Sequence, residues 1–212
     1  MLDLSSFNHL QLDAIREVGN IGTGNAATAL SELLSCMIEM DVPKADLVSV
    51  YSLSEYYGDP DALVAAVFVR SLGEFGCSLI FLQNEEDAAL MVDLLLQAQF
   101  GGSPPGELQQ DMLDSALTEV GNIILSSFLN AINMLIGTRH QISVPGVARD
   151  MLASILDVVA AIFGQMGDMA LVVNTELRVG GAEENKRRIT GNIIMLPDPS
   201  ALELLLRKLQ VL

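Results

Sequence analysis

Tryptophan is absent from these 212 residues, and cysteine and histidine occur only twice each. Each shortage excludes something. Cys36 and Cys77 are too few for a disulfide framework or a thiolate metal cluster, and they suit a reducing compartment. His9 and His140 have no metal-ligand spacing with each other or with the cysteines. Aromatics are scarce, so a core must come from Leu, Ile, Val, Ala and Met; half of all residues are hydrophobic, enough for a sizeable one. Basic residues are also scarce. Eleven Lys and Arg face 27 Asp and Glu, a net charge of −16. Residues 1–106 hold 15 acids and 3 bases, and residues 107–212 hold 12 and 8. Such a surface repels nucleic-acid phosphates and anionic lipid, so neither nucleic acid nor membrane insertion is expected. It keeps an apolar chain soluble, and it suits a partner with basic residues around its site. No basic region followed by an apolar run opens the sequence, which predicts a cytoplasmic protein. Val120 to Thr138 runs 19 residues without a charge, but it holds Asn122, Ser126, Ser127, Asn130 and Asn133. It reads as a buried amphipathic helix rather than a membrane span.

What is present is a repeat. Asp13 to Asn20 reads D-A-I-R-E-V-G-N, and Ser115 to Asn122 reads S-A-L-T-E-V-G-N. Both fit [D/S]-x-x-x-E-x-x-N, and both are followed by a proline 23 positions later, Pro43 after Asn20 and Pro145 after Asn122. Every matched position is offset by 102, so Asp13, Glu17, Asn20 and Pro43 correspond to Ser115, Glu119, Asn122 and Pro145. The chain is therefore expected to be one domain over 1–212 built from two repeats, about 9–100 and 110–212, with a Gly/Pro-rich linker at 101–106.

Periodicity predicts the same elements in each repeat. Apolar residues at helical spacing predict long helices to about residue 35 and over 110–136. Strands are expected at 37–42 and 141–144, each ended by its proline. Helices follow at 47–57 and 149–163. Hairpins are expected at 63–82 and 169–196, and final helices at 85–97 and up to residue 210. The fold class is α+β, a pseudo-twofold unit with about six strands and helices packed on them, two of the helices long and motif-bearing.

On a helix each residue advances about 100°. Asp13, Glu17, Asn20 and Gly24 then form one ridge, and Ser115, Glu119, Asn122 and Ser126 form another. Gly19, Gly22 and Gly121 fall toward the buried side, where a missing side chain permits close packing. Gly22 to Ala27 loosely matches a dinucleotide fingerprint, but it lies inside a helix rather than after a strand. The ridge chemistry is more specific. A carboxylate can pair with a cation on another molecule. A carboxamide can hold a water beside an anionic phosphoryl group without adding negative charge, and phosphoryl transfer needs mainly alignment and charge neutralisation. No base other than Arg16 accompanies either ridge, so the cation must come from a partner. The ordinary alternative is a solvated helix face inherited by duplication.

The doubled [D/S]-x3-E-x2-N-x22-P pattern resembles that of the CheC/CheX/FliY phosphatases of chemotaxis, and the resemblance spans essentially the whole chain. It implies hydrolysis of the aspartyl phosphate of the response regulator CheY. Glu17 and Glu119 would pair with a lysine of the regulator, and Asn20 and Asn122 would orient the attacking water. It implies no cofactor of the chain's own, with Mg2+ held by the regulator, and a further partner in the receptor deamidase CheD. Residues 149–163 are the expected surface for the latter. A non-catalytic adaptor and a flagellar-switch component remain the alternatives.

Overall fold

In the computed structural model, which describes residues 9–101, 110–164, 169–180 and 187–208, each repeat begins with a long helix. Helix α1 spans His9–Leu34 and α4 spans Gln110–Ile136. Strand β1 (Ile38–Ser49), one turn of 3-10 helix (Val50–Ser52) and α2 (Leu53–Tyr57) follow α1. The hairpin β2 (Leu63–Gly73) and β3 (Cys77–Asn84) leads into α3 (Glu85–Phe100). Asn84 caps α3 by accepting from the Asp87 amide, and three acids fill its first turn, as the helix dipole favours. After α4 come β4 (His140–Ile142), β5 (Gly146–Met151) and α5 (Leu152–Phe163). A second hairpin, β6 (Met169–Val179) and β7 (Arg187–Pro197), precedes α6 (Pro199–Lys208). Of the linker only Gly101 lies within the described residues.

The seven strands of the described residues join one antiparallel sheet in the order β1-β6-β7-β3-β2, with β4 and β5 both on the far edge of β2. The order reads alike from either end. Each hairpin pairs internally, β3 pairs β7 at the middle, and the first strand of each half lies on the hairpin of the other half.

Side chains alternate across a strand, so the sheet serves two cores. One face carries Val67, Val69, Leu79, Phe81, Val173 and Ile193 against α1, α3, α4 and α6. The other carries Val64, Ala66, Ile80, Val172 and Ile194 against α2 and α5. Burial of each Leu, Ile, Val or Phe contributes about 1.5–3 kcal/mol. Helix α4 is long and apolar enough to cross a membrane, yet 56% of its most apolar window is buried within this fold. Val120, Ile124, Leu125, Phe128 and Ile132 face that core, as the amphipathic reading of 120–138 expects.

Four local expectations need correction. Pro43 does not end the first strand. β1 continues to Ser49, and its register steps between Asp41 and Lys44, three residues of β1 passing two of β6. Proline has no N–H to give a ladder, and an edge-strand bulge is where that loss is tolerated. Residues 47–57 are consequently strand to Ser49, a 3-10 turn over Val50–Ser52 and α-helix only from Leu53. In the second half the ladder is interrupted around Pro145, and four residues from Ile142 to Gly146 pass three of β2, from Ser71 to Phe68. The strand expected at 141–144 is β4, and β5 is a further strand beyond Pro145, so the described residues hold seven strands in place of about six. Arg149, expected at the start of a helix, is the fourth residue of β5, and α5 starts only at Leu152.

Candidate functional site

The two ridges are set by how their helices are seated. On α1, Ile15 and Val18 are buried, while Asp13, Glu17, Asn20 and Gly24 are all exposed. A methyl added at Gly22 would lie 2.8 Å from the Phe128 Cα of α4, so this glycine lets the two long helices cross closely. At the pseudo-equivalent positions stand Ile124 and Ala26, both fully buried, with the large and small residues exchanged between helices. Gly19 lies over Val42 of β1 and Val173 of β6 at ordinary contact distance, 3.4–3.5 Å from an added methyl. Gly121 lies over Val67 of β2 more tightly, at 2.6 Å. The glycines within E-V-G-N thus seat each helix on the sheet.

The second ridge borders a groove of about 350 Å³ that brings together Ser115, Glu119, Asn122 and Pro145. Asp111, Asp114, Thr118 and Val147 complete its walls. All four repeated positions of the second copy therefore meet in one depression between α4 and the interrupted β4–β5 edge. Glu119 is exposed, and Asn122 and Pro145 are half-buried. The Ser126 hydroxyl donates to Asn122 Oδ1 at 3.2 Å, which fixes the carboxamide and leaves that oxygen a second lone pair. Ser115 and Thr118 direct their hydroxyls back along the helix, to the carbonyls of Asp111 at 2.8 Å and Asp114 at 2.6 Å. On the other flank of the ridge a second groove, of about 390 Å³, shares Asp111, Ser115 and Glu119 and adds the apolar Leu95, Leu96 and Met112. A carboxylate, an oriented carboxamide and an apolar margin are thus presented together on a rigid helix.

The first ridge is built differently. Val42 is buried at the β1 bulge, whereas its counterpart Val144 is 90% exposed. Gly24 occupies the position of Ser126 and has open space around it. Among the described residues nothing hydrogen bonds to the Asn20 carboxamide. Pro43 lies on β1 at the bulge, at the place in its repeat that Pro145 holds in the other.

Sequence reasoning missed one residue beside the second ridge. Arg149 of β5 pairs with Asp114 at 2.9 Å and with Glu85 at the start of α3. Its signal was hidden because 35 and 64 residues separate it from these partners. Cys77 is fully buried, out of reach of a substrate, and burial pushes its thiol up to about 12.

A family model described as the CheC-like family matches residues 10–45 and 112–149, which take in most of the two ridge helices and much of the strands that follow them. The CheY-P phosphatase CheC of Bacillus subtilis (strain 168) is 32% identical over 207 residues, covering 94% of this chain and 95% of that protein. The flagellar motor switch phosphatase FliY of the same organism is 27% identical over 68% of this chain, a stretch that makes up 37% of FliY. The crystal structure of Thermotoga maritima FliY superposes with a TM-score of 0.74 at 20% identity, covering 97% of this chain and 98% of that one, and shares the fold. About a third of the residues are shared along nearly all of CheC, and the matched segments are those that build both ridges: the chain belongs to the CheC-like family.

Proposed function

We propose that this chain is a cytoplasmic phosphatase that hydrolyses the aspartyl phosphate of a CheY-like response regulator. The observation that carries the reading is the groove on α4, where Ser115, Glu119, Asn122 and Pro145 converge. The name of its Bacillus subtilis relative, a CheY-P phosphatase, supports it. Glu119 and Glu17 pair with a lysine of the regulator and align the two proteins. Asn122 and Asn20 accept a hydrogen bond from a water and hold its oxygen in line with phosphorus. Attack forms the new P–O bond as the bond to the aspartyl oxygen breaks, giving inorganic phosphate and a free carboxylate. The Mg2+ that neutralises the phosphoryl oxygens belongs to the regulator, so this chain contributes chiefly position. An incomplete site of this kind acts only when its partner completes it.

A second partner fits α5. Val158 is 57% and Ile162 is 55% exposed, one turn apart on one face, a surface suited to a protein such as the deamidase CheD.

The decisive test follows phosphate release from a phosphorylated regulator with Mg2+, for wild type, Asn20→Ala, Asn122→Ala and the double variant. Wild type is expected to accelerate release, and the double variant to return it to the regulator's own rate. Loss of one positioning group costs roughly 10–1000-fold at its own site. Release no faster than from the regulator alone would instead make the chain an adaptor or a switch component. Glu119→Lys is expected to weaken association, by setting like charge against the regulator's lysine.

A further inference from the structure

The groove on α4 has two walls. One is the helix itself, with Asp114, Thr118 and Asn122, and the other is the strand side, with Pro145 and Val147. Arg149 stands two residues beyond Val147, on the same side of β5. Its Nε donates to Asp114 Oδ1 at 2.9 Å and its Nη1 to Glu85 Oε1. Asp114 Oδ1 also accepts from Gln110 Nε2 at 2.9 Å, and the Asp114 carbonyl accepts the Thr118 hydroxyl at 2.6 Å. One cation, its side chain only 20% exposed, therefore ties β5 to the first turns of α4 and to the start of α3. Two-pronged pairing of this kind fixes distance as well as charge.

The corresponding positions of the first copy carry no charge. At an offset of 102, Arg149 corresponds to Leu47 and Asp114 to Leu12. Leu47 is half-buried against the apolar core. The clamp is private to one ridge.

We infer that Arg149 is a positioning residue of the second site, holding the two walls of its groove at the separation that admits the regulator's phosphoryl group beside Asn122. The inference rests on the phosphatase reading. Without Arg149, Asp114 and Glu85 confront each other uncompensated, the walls spread, and two unpaired carboxylates stand close to an incoming anion. The water held by Asn122 then loses its line to phosphorus, and small misplacements of that kind are costly in rate.

The duplication provides the control. In the full chain, Asn20→Ala leaves only the second site and Asn122→Ala leaves only the first. Arg149→Met and Arg149→Lys are placed in each background, and kcat and KM for the phosphorylated regulator are measured. Arg149→Met is expected to lower kcat/KM of the Asn20→Ala chain by about tenfold or more, with part of the loss in kcat, and to leave the Asn122→Ala chain within about twofold. Arg149→Lys keeps the charge but has one prong, and is expected to recover no more than about threefold. An equal loss in both backgrounds would mark Arg149 as a general support of the fold and overturn the inference. No loss in the Asn20→Ala chain, or full recovery by lysine, would overturn it as well. If neither parent background accelerates phosphate release, the phosphatase reading itself fails and takes the role of Arg149 with it.

Discussion

Helices α1 and α4 present the same Glu and Asn one turn apart, but they stand on different ground. Asn20 is an exposed side chain next to a glycine with open space around it, while Asn122 is half-buried and held by Ser126. The valine before each repeated proline is tucked in at the first site and turned out at the second, 4% against 90% exposed. The clamp of Arg149 exists only at the second. Identical chemistry on two ridges therefore does not imply identical readiness. The motif sets what a site can do, and the support beneath it sets how much ordering remains when the partner arrives.

The largest way to break this comparison is to unseat the helices. Gly22→Ala drives a methyl to 2.8 Å from the Phe128 backbone, and Gly121→Ala to 2.6 Å from Val67 Cβ. Each is expected to destabilise by about 1–3 kcal/mol in denaturant unfolding. Gly24→Ala meets open space, and is expected to stabilise by up to about 1 kcal/mol because alanine is the better helix former. Similar losses at positions 22, 121 and 24 would show that the seating differs from that described.

A smaller effect concerns the amides. Asn122→Ala is expected to cost the whole chain more phosphate release than Asn20→Ala, by a ratio of about ten, since a fixed carboxamide loses less freedom on binding. Equal losses would make the added support at α4 catalytically silent. Smaller still is a transplant. Gly24→Ser installs at the first ridge the hydroxyl that Ser126 gives the second. In the Asn122→Ala background it is expected to raise release about threefold, the worth of one modest hydrogen bond. No gain would assign the difference between the sites to the groove and its clamp.

Much of this was legible from residues alone. Helix periodicity places Asp13, Glu17 and Asn20 on one face and Ile15 and Val18 on the other, and their exposure follows that division. Strand alternation and turn residues locate both hairpins, because local patterns suffice for antiparallel neighbours. One proline misled. Pro43 signals a strand end when read locally, yet an edge position absorbs its missing N–H as a bulge, and edge position is a property of the whole sheet. Arg149 was opaque for a related reason. Its partners Asp114 and Glu85 meet it only once β5 is laid against β2, and no periodicity encodes a contact made across elements.

The reciprocal strand pairing has a kinetic consequence. Ile38 lies opposite Val179, 141 residues later, so β1 has no mate until most of the chain exists. At synthesis rates of about 5–20 residues per second, that strand waits roughly 7–28 s after leaving the ribosome. Contacts so distant in sequence slow folding and lengthen the exposure of an unpaired edge. The first half can prepare its hairpin and helices during that interval, but its sheet closes only when β6 arrives to receive β1.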